Sequence, residues 1–136
     1  MSLSNSNEQQ LFTELTAEEA SVIEGGATLI LHRATAIRAG ADFGPGNGDD
    51  VYILVNGRKL NPPGTVNDVD TGESVRINRR IAFNGTARVN LFDDDPLFNP
   101  DDYLGGFTVG TTPTNGTRTV RVRGSGSTYD VTYSVV

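Results

Sequence analysis

NLFDDDPLFNPDDYLGG, residues 90–106, places five aspartates within ten positions: Asp93, Asp94, Asp95, Asp101 and Asp102. No lysine or arginine stands between them. Carboxylates crowded in this way raise one another's pKa and destabilise a folded chain. A bound hard cation removes the conflict, and calcium, with roughly six to eight oxygen ligands, draws heavily on aspartate. The run is not an EF-hand. Counted from Asp93, the sixth residue is Phe98 and the twelfth Leu104, where that loop needs glycine and glutamate. Its remaining ligands must therefore come from elsewhere in the chain.

Working outward, β-branched runs alternate with turn residues. Thr86–Phe92 reads as a strand leading into the acidic loop, preceded by an Asn84-Gly85 hairpin turn and by short strands at Glu73–Asn78 and Arg80–Phe83. Upstream, Ala27–Arg38 reads as a long first strand, Ala39–Asp50 as a glycine-rich loop and Val51–Asn56 as a second strand. Asn56-Gly57 is a hairpin signal, and Lys59–Asp70 is a turn-rich connection through Pro62-Pro63-Gly64. Phe107–Thr111, Thr117–Val122 and Tyr129–Val135 complete the strands. Eight strands of this kind predict an all-β fold, an antiparallel β-sandwich. Loops at one end of a sandwich meet in space, so Ala39–Asp50 and Asp93–Asp102 are expected to face each other and share cations. Asp49, Asp68, Asp70 and Asp130 read instead as turn formers.

The 136 residues carry a net charge of −6, no cysteine and one histidine, His32. Disulfides, thiolate nucleophiles, cysteine zinc sites and multi-histidine metal sites are thereby excluded. No apolar run approaches the ~18 residues of a transmembrane helix, and the first residues lack the basic start and apolar core of a general secretory signal. The charge is local. Residues 1–26 hold Glu8, Glu14, Glu18, Glu19 and Glu24 without a base, which leaves twelve acids against eleven bases in the remainder. Eight of those twelve lie in the two loop segments, Asp42, Asp49 and Asp50 in the first and the five aspartates above in the second. Such clusters repel phosphate and the bases are scattered in sequence, so nucleic acid is not an expected partner. No serine sits in a nucleophile elbow, tryptophan is absent, and His32 falls in the first strand as a solvent-facing or satisfied residue. Binding is expected rather than catalysis.

The order AGADFGPGNGDDVYILVNG followed by VNLFDDDPLFNPDDYLGG resembles the C2 domain, the calcium-dependent membrane-binding β-sandwich. The likeness runs over roughly residues 28–110, with Val51 in place of the family's proline and without its tryptophan-bearing middle segment. It implies that Asp42 and Asp50 supply the first loop's ligands and Asp93 and Asp95 the third loop's. Asp101 or Asp102, before Tyr103-Leu104-Gly105, closes the set. It also implies that Phe43, Leu97 and Phe98 are loop tips that enter lipid once calcium has cancelled the charge. The competing reading makes Phe98 a loop anchor that folds back and Phe43 a seal on the sandwich end. A carbohydrate-binding or adhesive sandwich is the alternative function, with Tyr52, Tyr103, Tyr129 and Tyr133 either stacking on a surface glycan or packing half-buried in strands.

Before Gly26, LFTELTAEEASVIEGG carries apolar residues at helical spacing and a Thr16–Glu19 capping box, which predict a short helix ended by the glycines. The segment resembles the double-glycine leader of bacterial peptides exported by peptidase-containing ABC transporters. Phe12, Leu15, Glu19 and Ile23 match its recognition positions, Gly25-Gly26 match its cleavage site, and Ala20 is smaller than the residue expected there. Residues 1–26 then form a removable leader and 27–136 the sandwich. The resemblance implies a secreted protein, in a compartment where millimolar calcium fills sites with Kd on the order of 10⁻⁴ to 10⁻³ M.

Overall fold

The computed structural model describes residues 26–41, 47–96 and 98–136. Its nine strands are β1 (Ala27–Arg38), β2 (Asp49–Val55), β3 (Arg58–Lys59), β4 (Val66–Val69), β5 (Ser74–Phe83), β6 (Ala87–Asp93), β7 (Asp102–Val109), β8 (Arg118–Gly124) and β9 (Ser127–Val135). They form two antiparallel sheets, one ordered β5-β1-β9-β8 and the other β3-β2-β6-β7, with β4 also paired to β2. The fold is all-β, and no helix occurs among the described residues. The expected leader helix, with Phe12, Leu15, Glu19, Ile23 and Gly25, lies outside them.

Alternation writes the layers into the sequence. In β2, Asp49, Val51, Ile53 and Val55 point inward, and in β6, Ala87, Val89, Leu91 and Asp93 do the same. Opposite them, Leu29, Leu31, Ala34 and Ala36 of β1 and Tyr129, Val131 and Val135 of β9 close the core. Each buried Val, Leu or Ile contributes roughly 1.5–3 kcal/mol relative to exposure.

Several sequence expectations are corrected. The described residues form nine strands rather than eight: β3 at Arg58–Lys59 and β4 inside the Lys59–Asp70 connection add hydrogen bonds along β2, while two of the expected strands merge into one. The two short strands around Arg79 are one strand, β5, interrupted only by a β-bulge. Leu31 pairs with Arg79 and Arg33 with Arg76, and Asn78 takes a positive φ of 48°, a conformation asparagine tolerates. Asn84-Gly85 is not a hairpin turn, since it carries the chain from β5 in one sheet to β6 in the other. The Asn56-Gly57 signal does make a hairpin, with φ of 50° and 80° joining β2 to β3.

β7 also starts five residues earlier than Phe107, at Asp102. A bulge between the Leu91 and Phe92 pairings lets Asp102 reach Asp93. Gly105 makes this possible. Its φ is +116°, and a Cβ there would lie 2.6 Å from the Arg123 backbone nitrogen.

Candidate metal centre

The strand register brings the acidic segments together. β2 pairs with β6 through Val51 opposite Asp93, and β6 pairs with β7 through Asp93 opposite Asp102. The 94–101 loop and the beginning of β2 therefore share one end of the sandwich, as the sandwich reading requires. One carboxylate oxygen from each of Asp93, Asp95 and Asp102 lies within 4.8 Å of the other two. Asp93 is fully buried, while Asp95 and Asp102 are half-buried. Like charges directly opposite on neighbouring strands are destabilising, and here a third carboxylate joins the pair. The donor set consists of hard anionic oxygens with no cationic side chain in the group, which fits calcium.

The surroundings fix these carboxylates. The Asp50 N–H donates to Asp93 Oδ1 at 2.6 Å, and the Asp94 N–H donates to the Asp50 carbonyl at 2.8 Å. Asp50 itself accepts the Asp68 N–H at Oδ1, 2.8 Å away, and Asp68 accepts the Gly48 N–H at 3.0 Å. Asp50, Asp68, Asp94 and Asp95 line an open cleft of about 350 Å³ together with Asn47 and Gly48. Asp50 and Asp95 thus line one cleft, and Asp95 also belongs to the three-carboxylate cluster.

Of the two closing residues left open by the sequence, the structure brings Asp102 into the cluster. Asp101 braces the loop instead. It accepts the Tyr52 hydroxyl at 2.5 Å and the Asp95 N–H at 2.9 Å. The Tyr52 hydrogen bond, then that backbone N–H, holds the Asp101 carboxyl below the ordinary carboxylate range. Burial and the same hydrogen bond push the Tyr52 phenol well up. Asp42, Phe43 and Leu97 lie outside the described residues. Phe98 does not fold back as a loop anchor, because it is 100% exposed at the loop tip, with φ +79°.

Asp49 is the residue the sequence reading misplaced. It is no turn former: it is fully buried and accepts the Ser127 and Tyr129 hydroxyls, each at 2.7 Å, and the Ala41 N–H at 3.2 Å. Burial, then the bond to Asp49, raises the Tyr129 pKa far above its usual value. The signal was present in the phase of β2, where Asp49 shares the inward row with Val51 and Ile53. Asp130 likewise sits in a strand, opposite Arg121, which it binds at 2.7 Å. Asp68, with φ +57° inside β4, lines the acidic cleft. Asp70 does open a turn, which closes when the Glu73 N–H donates to its carbonyl at 2.9 Å.

The tyrosines divide. Tyr129 is buried and Tyr133 packs 5.1 Å from Phe107. Tyr52, Phe92 and Tyr103 form a ladder across the five-stranded sheet, with ring centroids 5.5 and 5.4 Å apart. His32 lies within hydrogen-bond reach of Ser134, at 3.1 Å.

No protein-family model and no curated protein matches the chain. Among solved structures, a structure of CC2D1B, which coordinates ESRCT-III activity during the mitotic reformation of the nuclear envelope, superposes with a TM-score of 0.52 at 12% identity, over 90% of this chain and 56% of that one. A structure of a C2 domain gives 0.48 at 19% identity over 81% of this chain and 96% of that one. A C2 domain of plant extended synaptotagmin 1 gives 0.49 at 12% identity, over 80% and 92%. These likenesses concern the fold: the chain is a two-sheet antiparallel sandwich with C2 domains among its structural neighbours.

Proposed function

We propose that this protein is an exported, calcium-binding C2-like β-sandwich module that attaches to an anionic membrane through its calcium-loaded loops. The observation that carries the reading is the cluster of Asp93, Asp95 and Asp102 at the base of the loop that carries a fully exposed Phe98. Asp50 and, from the first loop, Asp42 are proposed to complete the ligand set, with Asp101 holding the loop in shape. Calcium supplies the positive charge that offsets the crowded carboxylates and can bridge to lipid phosphate. Phe98, with Leu97 and Phe43 as proposed companions, then supplies apolar contact with the acyl boundary.

A second reading rests on the Tyr52–Phe92–Tyr103 ladder. In it calcium only stiffens the loops, and the aromatic face binds a surface glycan. Flotation of the full chain with phosphatidylserine-containing vesicles separates the two. The membrane reading requires vesicle-bound protein only with millimolar calcium, and less of it after Phe98→Ser. Protein that stays at the bottom of the gradient with calcium present removes the membrane reading and leaves the glycan one.

Residues 1–26 are proposed as a leader recognised by a peptidase-containing ABC transporter, and 27–136 as the working domain. Supporting that division, β1 begins at Ala27, directly after the glycine pair. Exported protein is expected to begin at Ala27 by intact mass; Met1 or Ser2 at the start of exported material refutes the leader.

A further inference from the structure

We propose that Asn84 and Asn115 are sites of spontaneous covalent modification, each losing its side-chain amide as ammonia in the folded protein and becoming a carboxylate, while the fold holds Asn47 and Asn56 intact. All four asparagines are followed by glycine, so the dipeptide itself does not separate them. Asparagine is among the thermolabile residues, and its reaction here needs only the chain and water. The glycine nitrogen attacks the asparagine Cγ, and a new C–N bond closes a five-membered imide. The side-chain nitrogen leaves as ammonia, carrying the proton given up by the glycine N–H. Water then opens the ring at either carbonyl, which yields aspartate or its β-linked isomer. Glycine favours the first step because no Cβ crowds the attacking nitrogen.

Two of the four are restrained. Asn56 Oδ1 accepts the Arg88 N–H at 2.8 Å, and its Nδ2 donates to the Thr86 carbonyl at 3.3 Å. Turning its Cγ toward the Gly57 nitrogen breaks both bonds. At Asn47 it is the attacking nitrogen that is held, because the Gly48 N–H donates to Asp68 Oδ1 at 3.0 Å. Gly48 is also buried. A Cβ there would stand 2.6 Å from the Val69 carbonyl oxygen, so this stretch of backbone is packed too closely to pivot.

Asn84 and Asn115 lack these restraints. Both are exposed, and neither side-chain amide has a hydrogen-bond partner among the described residues. The Gly85 and Gly116 N–H groups have no acceptor there either, and a Cβ on either glycine would meet nothing within 4 Å. Exposed turns of this kind open at the least cost in a folded protein. Both lie at the end of the sandwich away from the acidic loops. Asn84 follows Phe83, which pairs with Ala27 at the start of β1, and Thr114, beside Asn115, donates its N–H to the Val135 carbonyl at the end of β9. The new charges therefore fall far from the proposed metal site. At position 115 the carboxylate arises near Arg118, whose guanidinium already reaches the Thr114 carbonyl at 3.1 Å.

The test uses the full chain, aged in mildly alkaline buffer either folded or unfolded in urea. Peptide mapping by mass spectrometry reads the exchange of amide for carboxyl at each asparagine, and ammonia release gives the total. In the folded sample Asn84 and Asn115 should convert faster than Asn47 and Asn56 by a factor of roughly 10 or more, because the restrained pair reacts only after hydrogen bonds are broken. In urea the four rates should converge, since the same residue follows each asparagine and the fold no longer sorts them. The proposal falls if either Asn84 or Asn115 keeps its amide throughout in the folded protein, if Asn47 or Asn56 converts as fast as they do, or if the folded order of rates persists in urea.

Discussion

Asp49 and Asp93 end the inward rows of neighbouring strands at the same end of the sandwich, and both are fully buried. Their surroundings differ in one respect. Asp49 is met by hydroxyl donors from the opposite sheet, Ser127 and Tyr129, and by a backbone N–H. Asp93 takes the Asp50 N–H but also shares its space with the carboxylates of Asp95 and Asp102. A buried charge is tolerable when hydrogen bonds surround it. A buried charge crowded by two others calls for a cation. The first aspartate therefore belongs to the fold and ties the two sheets together, while the second belongs to the proposed metal site.

Removing each carboxylate should separate these roles. Asp49→Ala leaves the Ser127 and Tyr129 hydroxyls facing a gap without an acceptor, and a loss of about 3 kcal/mol or more is expected. Urea unfolding should show that loss equally with calcium and with chelator, because no metal compensates for a missing sheet-to-sheet tie. If calcium restored the stability of Asp49→Ala, the division between the two aspartates would collapse.

Much of this arrangement is legible in the sequence alone. The sandwich follows from strands separated by turn residues, and the meeting of the two acidic segments follows from the sandwich. The phase of β2 and β6, with Asp49 and Asp93 in line with Val51 and Leu91, also marks both as inward. Reading Asp49 as a turn residue ignores that phase. Asp101 and Asp102 are adjacent and chemically identical, so only the pairing of β7 with β6 assigns Asp102 to the cluster. That pairing depends on a bulge and on Gly105 at positive φ, which no local pattern specifies.

The central claim, that Asp93, Asp95 and Asp102 hold calcium, is tested most directly by thermal unfolding of the full chain and of Asp95→Asn, each with chelator and with calcium in excess. At a concentration ten times Kd, binding to the folded state alone adds about 1.4 kcal/mol. The wild type should therefore melt higher in calcium, and Asp95→Asn should melt at the same temperature in both buffers. A wild type indifferent to calcium, or an Asp95→Asn protein that gains as much from it as the wild type does, would contradict the account.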